Sequence, residues 1–233
     1  FRKLPPPARL VPAWHLPYKL NYKPRLRVLH AEANVEEFHE VSHRYKVSVT
    51  EYFISVYHYS LQEIYMRRKG KSKKRKRKVL RIEVPVNMRN KFPTRTMRNF
   101  SLFVMPEIDI RLGTYTFEEI IKSVHHQFQI SSDIKQISRF LSSNVSYEKL
   151  LFVRVLPLFI KKVAIAAVYN GLGSKRLTGI VTNLGSVALP GEMEEMIDFF
   201  DLIPPPPNRA VKVSAALISY KDRLRICFSN ISQ

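Results

Sequence analysis

The chain has 233 residues, 45% of them hydrophobic, which excludes a wholly disordered polypeptide and suits one large domain or two small ones. Its 39 Lys and Arg stand against 19 Asp and Glu, a formal net charge of +20, and such a field attracts phosphates, nucleic acid or anionic lipid without choosing among them. Arg67 to Lys78, "RRKGKSKKRKRK", holds ten basic residues and no acid. Half of the net charge is therefore local, and the run reads as a solvated loop or as a contact for nucleic acid or anionic lipid.

Residues 1–24 are rich in proline, which fixes φ and removes backbone donors, so an extended lead-in is expected there. No secretory leader is visible at this end, and the first residue, Phe1, suggests a segment excised from something longer. Arg25 to Ala33 alternates like a strand. Asn34 with Glu37, and Ser48 with Glu51, are cap patterns. The first precedes Val35, Phe38, Val41 and Tyr45 at helical spacing; the second precedes an aromatic-faced helix running into the basic loop at 67–78.

The stretch "IEVPVNMRNKFPTRTMRNFSLFV", Ile82 to Val104, reads as two strands separated by a break crowded with amides and guanidinium groups. Thr116 and Glu119 then cap a helix carrying Phe117, Ile120, Ile121, Val124 and Phe128. Helical character continues with breaks to about Asn170, with Pro157 ending or kinking one segment. Leu150 to Tyr169 is apolar, but Arg154, Lys161 and Lys162 interrupt it, so a spanning helix is not expected and the chain reads as soluble. "LTGIVTNLGSVALP" reads as a buried strand with a Gly-containing turn, "EMEEMIDFF" as a short helix, and Ala210–Ser219 with Leu224–Ser229 as a hairpin. Equal helix and strand in mixed order predict an α/β fold of the α+β kind, helices packed on a mixed sheet.

His39-Glu40-Val41-Ser42-His43 matches HExxH, whose i, i+4 imidazoles bind zinc on one helix face. It requires a third ligand, for which Glu63 is the one candidate; otherwise the histidines sit on a helix surface, and no metal is expected. His125-His126 begins like the HHxxxD motif of an acyltransferase class, but Ile130 stands where the Asp belongs, so both read as structural. No P-loop and no G-x-S-x-G elbow occurs. Cys227, the single cysteine, lies in an alternating strand and reads as a packed core thiol in a reducing, cytoplasmic setting.

"VPVNMRNKFPTRTMRNFSLFVMPEID", "YTFEEIIKSVHHQF", "LPLFIKKVAI", "TNLGSVALP" and "SYKDRLRICFS" occur in an order that resembles the C-terminal half of bacterial alcohol acetyltransferase-like proteins. These belong to the chloramphenicol acetyltransferase-like superfamily, with condensation domains of peptide synthetases and wax ester synthases. The resemblance covers about residues 25–233. It implies one of two similar subdomains, with acyl-CoA as co-substrate, a small alcohol or amine as acceptor, no bound cofactor, and a tunnel between the subdomains. It also implies that the catalytic His of HHxxxDG lies in a missing N-terminal subdomain, since no such motif occurs in residues 1–233. Arg89 then holds the position that pairs the motif's Asp. Asn183 and Gly185, in "TNLG", approach the reaction centre, with Asn183 as donor to an acyl oxygen and Gly185 permitting close backbone approach. For Asn87, Asn90 and Asn99 two readings stand: lining of the tunnel, or capping of strand ends.

Overall fold

Asn34 ends strand β1 (Arg27–Asn34) and starts helix α1 (Val35–Arg44), its Oδ1 accepting from the backbone N–H of Glu36 at 2.8 Å and of Glu37 at 3.1 Å. Ser48 and Glu51 cap helix α2 (Val49–Arg67) reciprocally: Glu51 N donates to Ser48 Oγ at 3.3 Å, and Ser48 N to Glu51 Oε2 at 2.7 Å. Thr116 and Glu119 do the same for α3 (Phe117–Ser131). Each cap satisfies backbone donors that a helix start otherwise leaves open.

The chain's computed structural model describes residues 10–17, 26–67, 78–90, 92, 94, 95, 97, 100–148, 155, 157–168, 174–208 and 210–230. Its other elements are strands β2 (Val79–Asn87), β3 (Ser101–Val104), β4 (Glu107–Asp109), β5 (Gly179–Ser186), β6 (Val213–Tyr220) and β7 (Arg223–Asn230), and helices α4 (Ile134–Glu148), α5 (Leu158–Val168) and α6 (Gly191–Glu194). Residues 68–77 of the basic run lie outside the described residues. Pro157 stands between helical Val155 and α5, where a segment was expected to end, and its carbonyl accepts from Ile160 and Lys161 at 3.1 Å each. The helix expected in "EMEEMIDFF" is shorter, ending at Glu194. No helix among the described residues is long and apolar enough to cross a membrane.

The sheet is mixed, in the order β1-β7-β6-β5-β2-β3, with β4 also on β2. Parallel pairs β2–β5 and β5–β6 form its centre, and antiparallel β6–β7 and β1–β7 extend one side. The α/β mixed sheet expected from the sequence is therefore the architecture found. Helix α2 lies over one face, burying Phe53, Ile54, Tyr57, Leu61 and Tyr65 against Leu80, Ile82, Val181, Ala215, Leu217 and Leu224. Gln62 joins it to the entry of α3: Nε2 donates to Tyr115 O at 2.8 Å, and Oε1 accepts from Tyr115 N at 2.9 Å.

Residues 10–17 have no regular structure, as expected of the lead-in, yet they are part of the core. Trp14 is 5% exposed and packs edge-on to Tyr65 at 5.4 Å between ring centroids, while its backbone N–H donates to Val79 O at 2.7 Å.

His58, on the sheet-facing side of α2, is fully buried, and its Nδ1 donates to the Ile54 carbonyl at 3.0 Å. Burial lowers its pKa from 6.5 to about 4. Between those values the unfolded chain binds a proton that the folded chain does not, so this contribution to stability is complete above pH 6.5 and declines as pH falls toward 4. The slope is ~1.4 kcal/mol per pH unit. His58→Gln removes the titration. The stability gap between the parent chain and this variant, read from urea unfolding, should narrow by about 2 kcal/mol from pH 7 to pH 5; a constant gap contradicts the assignment.

Candidate functional site

The parallel pairing of β2 with β5 runs only through Ile82↔Gly179 and Glu83↔Ile180. Both strands continue, β2 to Asn87 and β5 to Ser186, and from Val84 onward β2 pairs with β3. The sheet thus parts between two parallel strands at their carboxyl ends, the place where open α/β sheets take ligands.

On the β5 side, Asn183 Nδ2 donates to Thr50 Oγ1 in the first turn of α2 at 2.9 Å, and Asn183 Oδ1 accepts from Gly185 N at 2.8 Å. The ladder with β6 jumps from Asn183↔Leu217 to Ser186↔Ser219, so β5 carries one extra residue, a β-bulge. Gly185 has φ +84°, which an L side chain adopts only under strain, and a Cβ there would meet no heavy atom within 4 Å. Backbone conformation, and not a crowding neighbour, is what requires glycine at this position.

On the β2 side, Asn87 is exposed, and its Oδ1 accepts from Arg89 N at 3.0 Å, fixing the turn that leaves the strand. Arg89 follows in a short 3-10 turn, half-buried. Asn99 lies outside the described residues, as does the side chain of Asn90. Four of the five residues picked from the sequence, Asn87, Arg89, Asn183 and Gly185, are thus at the carboxyl ends of the two central strands, where the sheet opens.

Glu83, inside the same quoted stretch, was missed by the sequence reading. It sits where the pairing ends, half-buried, and burial pushes its carboxyl up. Among the described residues no hydrogen bond or ion pair engages that carboxyl. The available signal was alternation: Ile82 and Val84 enter the core, so Glu83 faces away from α2. Beside β3 there is a cavity of about 500 Å³ whose walls include Val86, Met88, Leu102, Phe103 and Phe140, with the Arg139 and Arg176 side chains at it. Arg139 Nε is buried and has no hydrogen-bond partner among the described residues. An apolar chamber with a donor of this kind suits an extended acyl chain or thioester with a polar end.

The other histidine motifs do not assemble. His39 and His43 are exposed on α1, 6.0 Å apart between ring centroids, with Glu40 paired to Arg44 and Glu63 paired to Arg67. Among the described residues no third His, Cys, Asp or Glu completes a ligand set with them. His125 Nδ1 meets Glu51 Oε1 at 3.1 Å, tying α3 to the start of α2. Cys227 is fully buried, and burial first, then the Asp201 carboxylate, pushes its thiol up, the opposite of an activated nucleophile.

No protein-family model and no curated protein matches the chain. Solved structures do. A nonribosomal peptide synthetase, FmoA3, in its α-methyl-L-serine-AMP bound form, superposes with a TM-score of 0.53 at 16% identity, over 95% of this chain and 21% of that one. Wax ester synthase/diacylglycerol acyltransferase from Marinobacter aquaeolei VT8 gives 0.51 at 12% identity, over 99% of this chain and 47% of that one. Vinorine synthase gives 0.50 at 11% identity, over 95% and 46%. The chain spans less than half the length of each. The chain thus has the mixed α/β fold of a portion of these condensation and acyltransferase proteins.

Proposed function

We propose that the chain supplies the C-terminal subdomain of a cytoplasmic, acyl-CoA-dependent acyltransferase, which passes the acyl group to an alcohol or amine. The supporting observation is that nearly all of it superposes on under half of a wax ester synthase/diacylglycerol acyltransferase. The rest of the site then belongs to a second, N-terminal subdomain carrying HHxxxDG. There a His base takes the acceptor's proton while the acceptor oxygen or nitrogen attacks the thioester carbonyl, and the CoA thiolate leaves.

This chain's residues position and stabilise. Asn183 has two N–H donors, of which Thr50 takes one; the other serves the developing oxyanion. The bulge and the positive φ of Gly185 hold that amide at the opening between β2 and β5. Arg89 pairs an Asp of the N-terminal subdomain. The 500 Å³ cavity beside β3 takes the acyl or thioester chain. Leu158, Phe159 and Val163 on α5 are 69%, 70% and 71% exposed, an uncovered apolar face of the kind a second subdomain would cover. The basic run at 67–78 is read as a separate electrostatic contact for nucleic acid or anionic lipid, to be weakened steeply by salt. Deleting residues 69–78 should leave acyl transfer intact.

Alone, the chain should show no thioester cleavage, because general-base catalysis contributes ~10²- to 10⁴-fold and the positioning from one wall is also missing. Mixing it with the separately expressed N-terminal half should restore free-thiol release. Arg89→Ala should weaken that restoration about 10- to 100-fold, as truncating one polar contact at a docked interface does. Robust turnover by the isolated chain overturns the reading.

Asn183→Asp and Asn183→Ala separate the two roles of the amide in the reconstituted enzyme. The Asp variant keeps an acceptor for Gly185 N but has no donor, so thermal stability should stay near the parent while kcat falls about 10²- to 10³-fold. The Ala variant should lose both. If the Asp variant keeps kcat, the amide has only a structural role.

A further inference from the structure

The antiparallel ladder between β1 and β7 sets His30 directly opposite Cys227 and Glu32 opposite Arg225, all on the sheet face turned away from α2. Across that face runs the segment containing Asp201. It is held there by Arg225 Nε donating to Asp201 Oδ1 at 2.8 Å and by Ser229 Oγ donating to Pro205 O at 2.8 Å. Arg225 Nη1 also meets Glu32 Oε2 at 3.1 Å, and its guanidinium covers the Phe199 ring at 4.2 Å.

Ligand-type atoms of three residues converge inside this frame. Cys227 Sγ is 3.5 Å from His30 Nδ1 and 3.6 Å from Asp201 Oδ1, while His30 Nδ1 is 3.4 Å from Asp201 Oδ2. One ring nitrogen has a single in-plane lone pair or N–H, and here both a thiol and a carboxylate address it. With metal–ligand bonds of ~2.3 Å to sulfur and ~2.0 to 2.2 Å to nitrogen and oxygen, a tetrahedral zinc ion spaces its ligand atoms about 3.3 to 3.6 Å apart. The sulfur–nitrogen separation falls on that scale, the carboxylate turns Oδ1 toward Cys227 and Oδ2 toward His30, and one ligand atom from each residue lies within 4.8 Å of the other two.

We infer that His30, Asp201 and Cys227 form a three-ligand zinc site that clips the segment around Asp201 to the β1 edge of the sheet. A thiolate, an imidazole and a carboxylate select zinc over magnesium or calcium, which favour all-oxygen sets. Binding converts the Cys227 thiol to a thiolate bound to the metal and releases one proton to solvent. Arg225 is the outer partner that orients the Asp201 carboxylate. The His30 side chain is 44% exposed, so the fourth position faces solvent and takes a water or an exogenous ligand. The site does not depend on the acyl-transfer reading.

The full chain, stripped with a chelator and titrated with Co²⁺ as the spectroscopic probe, should develop a thiolate-to-cobalt charge-transfer band and tetrahedral d–d bands that saturate at one equivalent. Zn²⁺ should bleach them and raise Tm. Cys227→Ser should abolish the charge-transfer band. Asp201→Asn and His30→Ala should each weaken zinc binding at least tenfold, read by competition with a chromophoric chelator. His39→Ala, on α1, should change nothing. Far-UV circular dichroism confirms that each variant is folded, and Asp201→Asn, in a partly exposed segment without regular structure, keeps the test valid if Cys227→Ser is not. Absence of the charge-transfer band, its survival in folded Cys227→Ser, unchanged affinity in Asp201→Asn, or loss of binding in His39→Ala each overturns the inference.

Discussion

The guanidinium of Arg81 is the constraint around which this half-fold closes. It is 1% exposed in the middle of β2, and an uncompensated buried charge costs several kcal/mol. Its Nε donates to Glu107 on β4 at 2.6 Å, and its Nη1 donates to the carbonyls of Val11 and Arg176 at 2.8 Å each. Its backbone completes the set: Arg81 N donates to Thr178 Oγ1, and its carbonyl accepts from Thr178 N at 2.7 Å. Glu107 is in turn fixed by Gln127 of α3, whose amide exchanges two hydrogen bonds with the Glu107 backbone. One side chain therefore holds the lead-in, the approach to β5, strand β4 and, through Gln127, helix α3 in register. The position at which β2 and β5 part follows from where this cluster clamps them.

The sequence reading expected a buried, paired guanidinium in this region and looked for it at Arg89. Among the described residues the fully buried arginine is Arg81, which that reading did not single out, flanked by Leu80 and Ile82 in a run that otherwise signals a core strand. Two of its partners are main-chain carbonyls supplied by Val11 and Arg176. Carbonyls occur at every residue, so they leave no mark in the sequence. The helix starts were legible for the opposite reason: Asn34, Ser48 with Glu51, and Thr116 with Glu119 act on N–H groups within three residues of themselves. The hairpin of β6 and β7 was legible through alternation around a short polar turn, in which Lys221 takes φ +53°. Strand order was not, because nothing local reveals that β5 lies between β2 and β6. Nor was the burial of Trp14, whose proline-rich neighbourhood forbids regular structure but does not forbid packing.

At the candidate site the same division holds. Asn183 and Gly185 stand out through a likeness of motif order, while what makes them a unit arises only in the folded chain: the bulge, the positive φ and the bond to Thr50. Bulges bend a strand and re-aim its side chains, which suits a polar amide fixed against a helix start in the second half of β5, where the strand leaves the core. Glu83 shows the converse. Its place in the alternation was visible, but not that it sits where pairing with β5 ends and pairing with β3 begins, with no partner for its carboxyl among the described residues.

The two faces of the sheet consequently do different work. Leu29, Phe228, Leu217 and Asn183 belong to the face that α2 covers, and they tie strand pairing to core burial. Glu83, Thr182, Cys227 and His30 alternate onto the other face. Thr182 and Cys227 flank the same residue of β6, Ala216, so two strand spacings, about 10 Å, separate them. The zinc site is accordingly a feature of the β1 edge, and the reactive opening a feature of the sheet's centre. The edge strand β1 is mostly exposed and rests almost wholly on β7, so a clip across His30 and Cys227 would stabilise the element that the core stabilises least. Loss of that clip should loosen the edge while the Arg81 cluster keeps the opening between β2 and β5 in place.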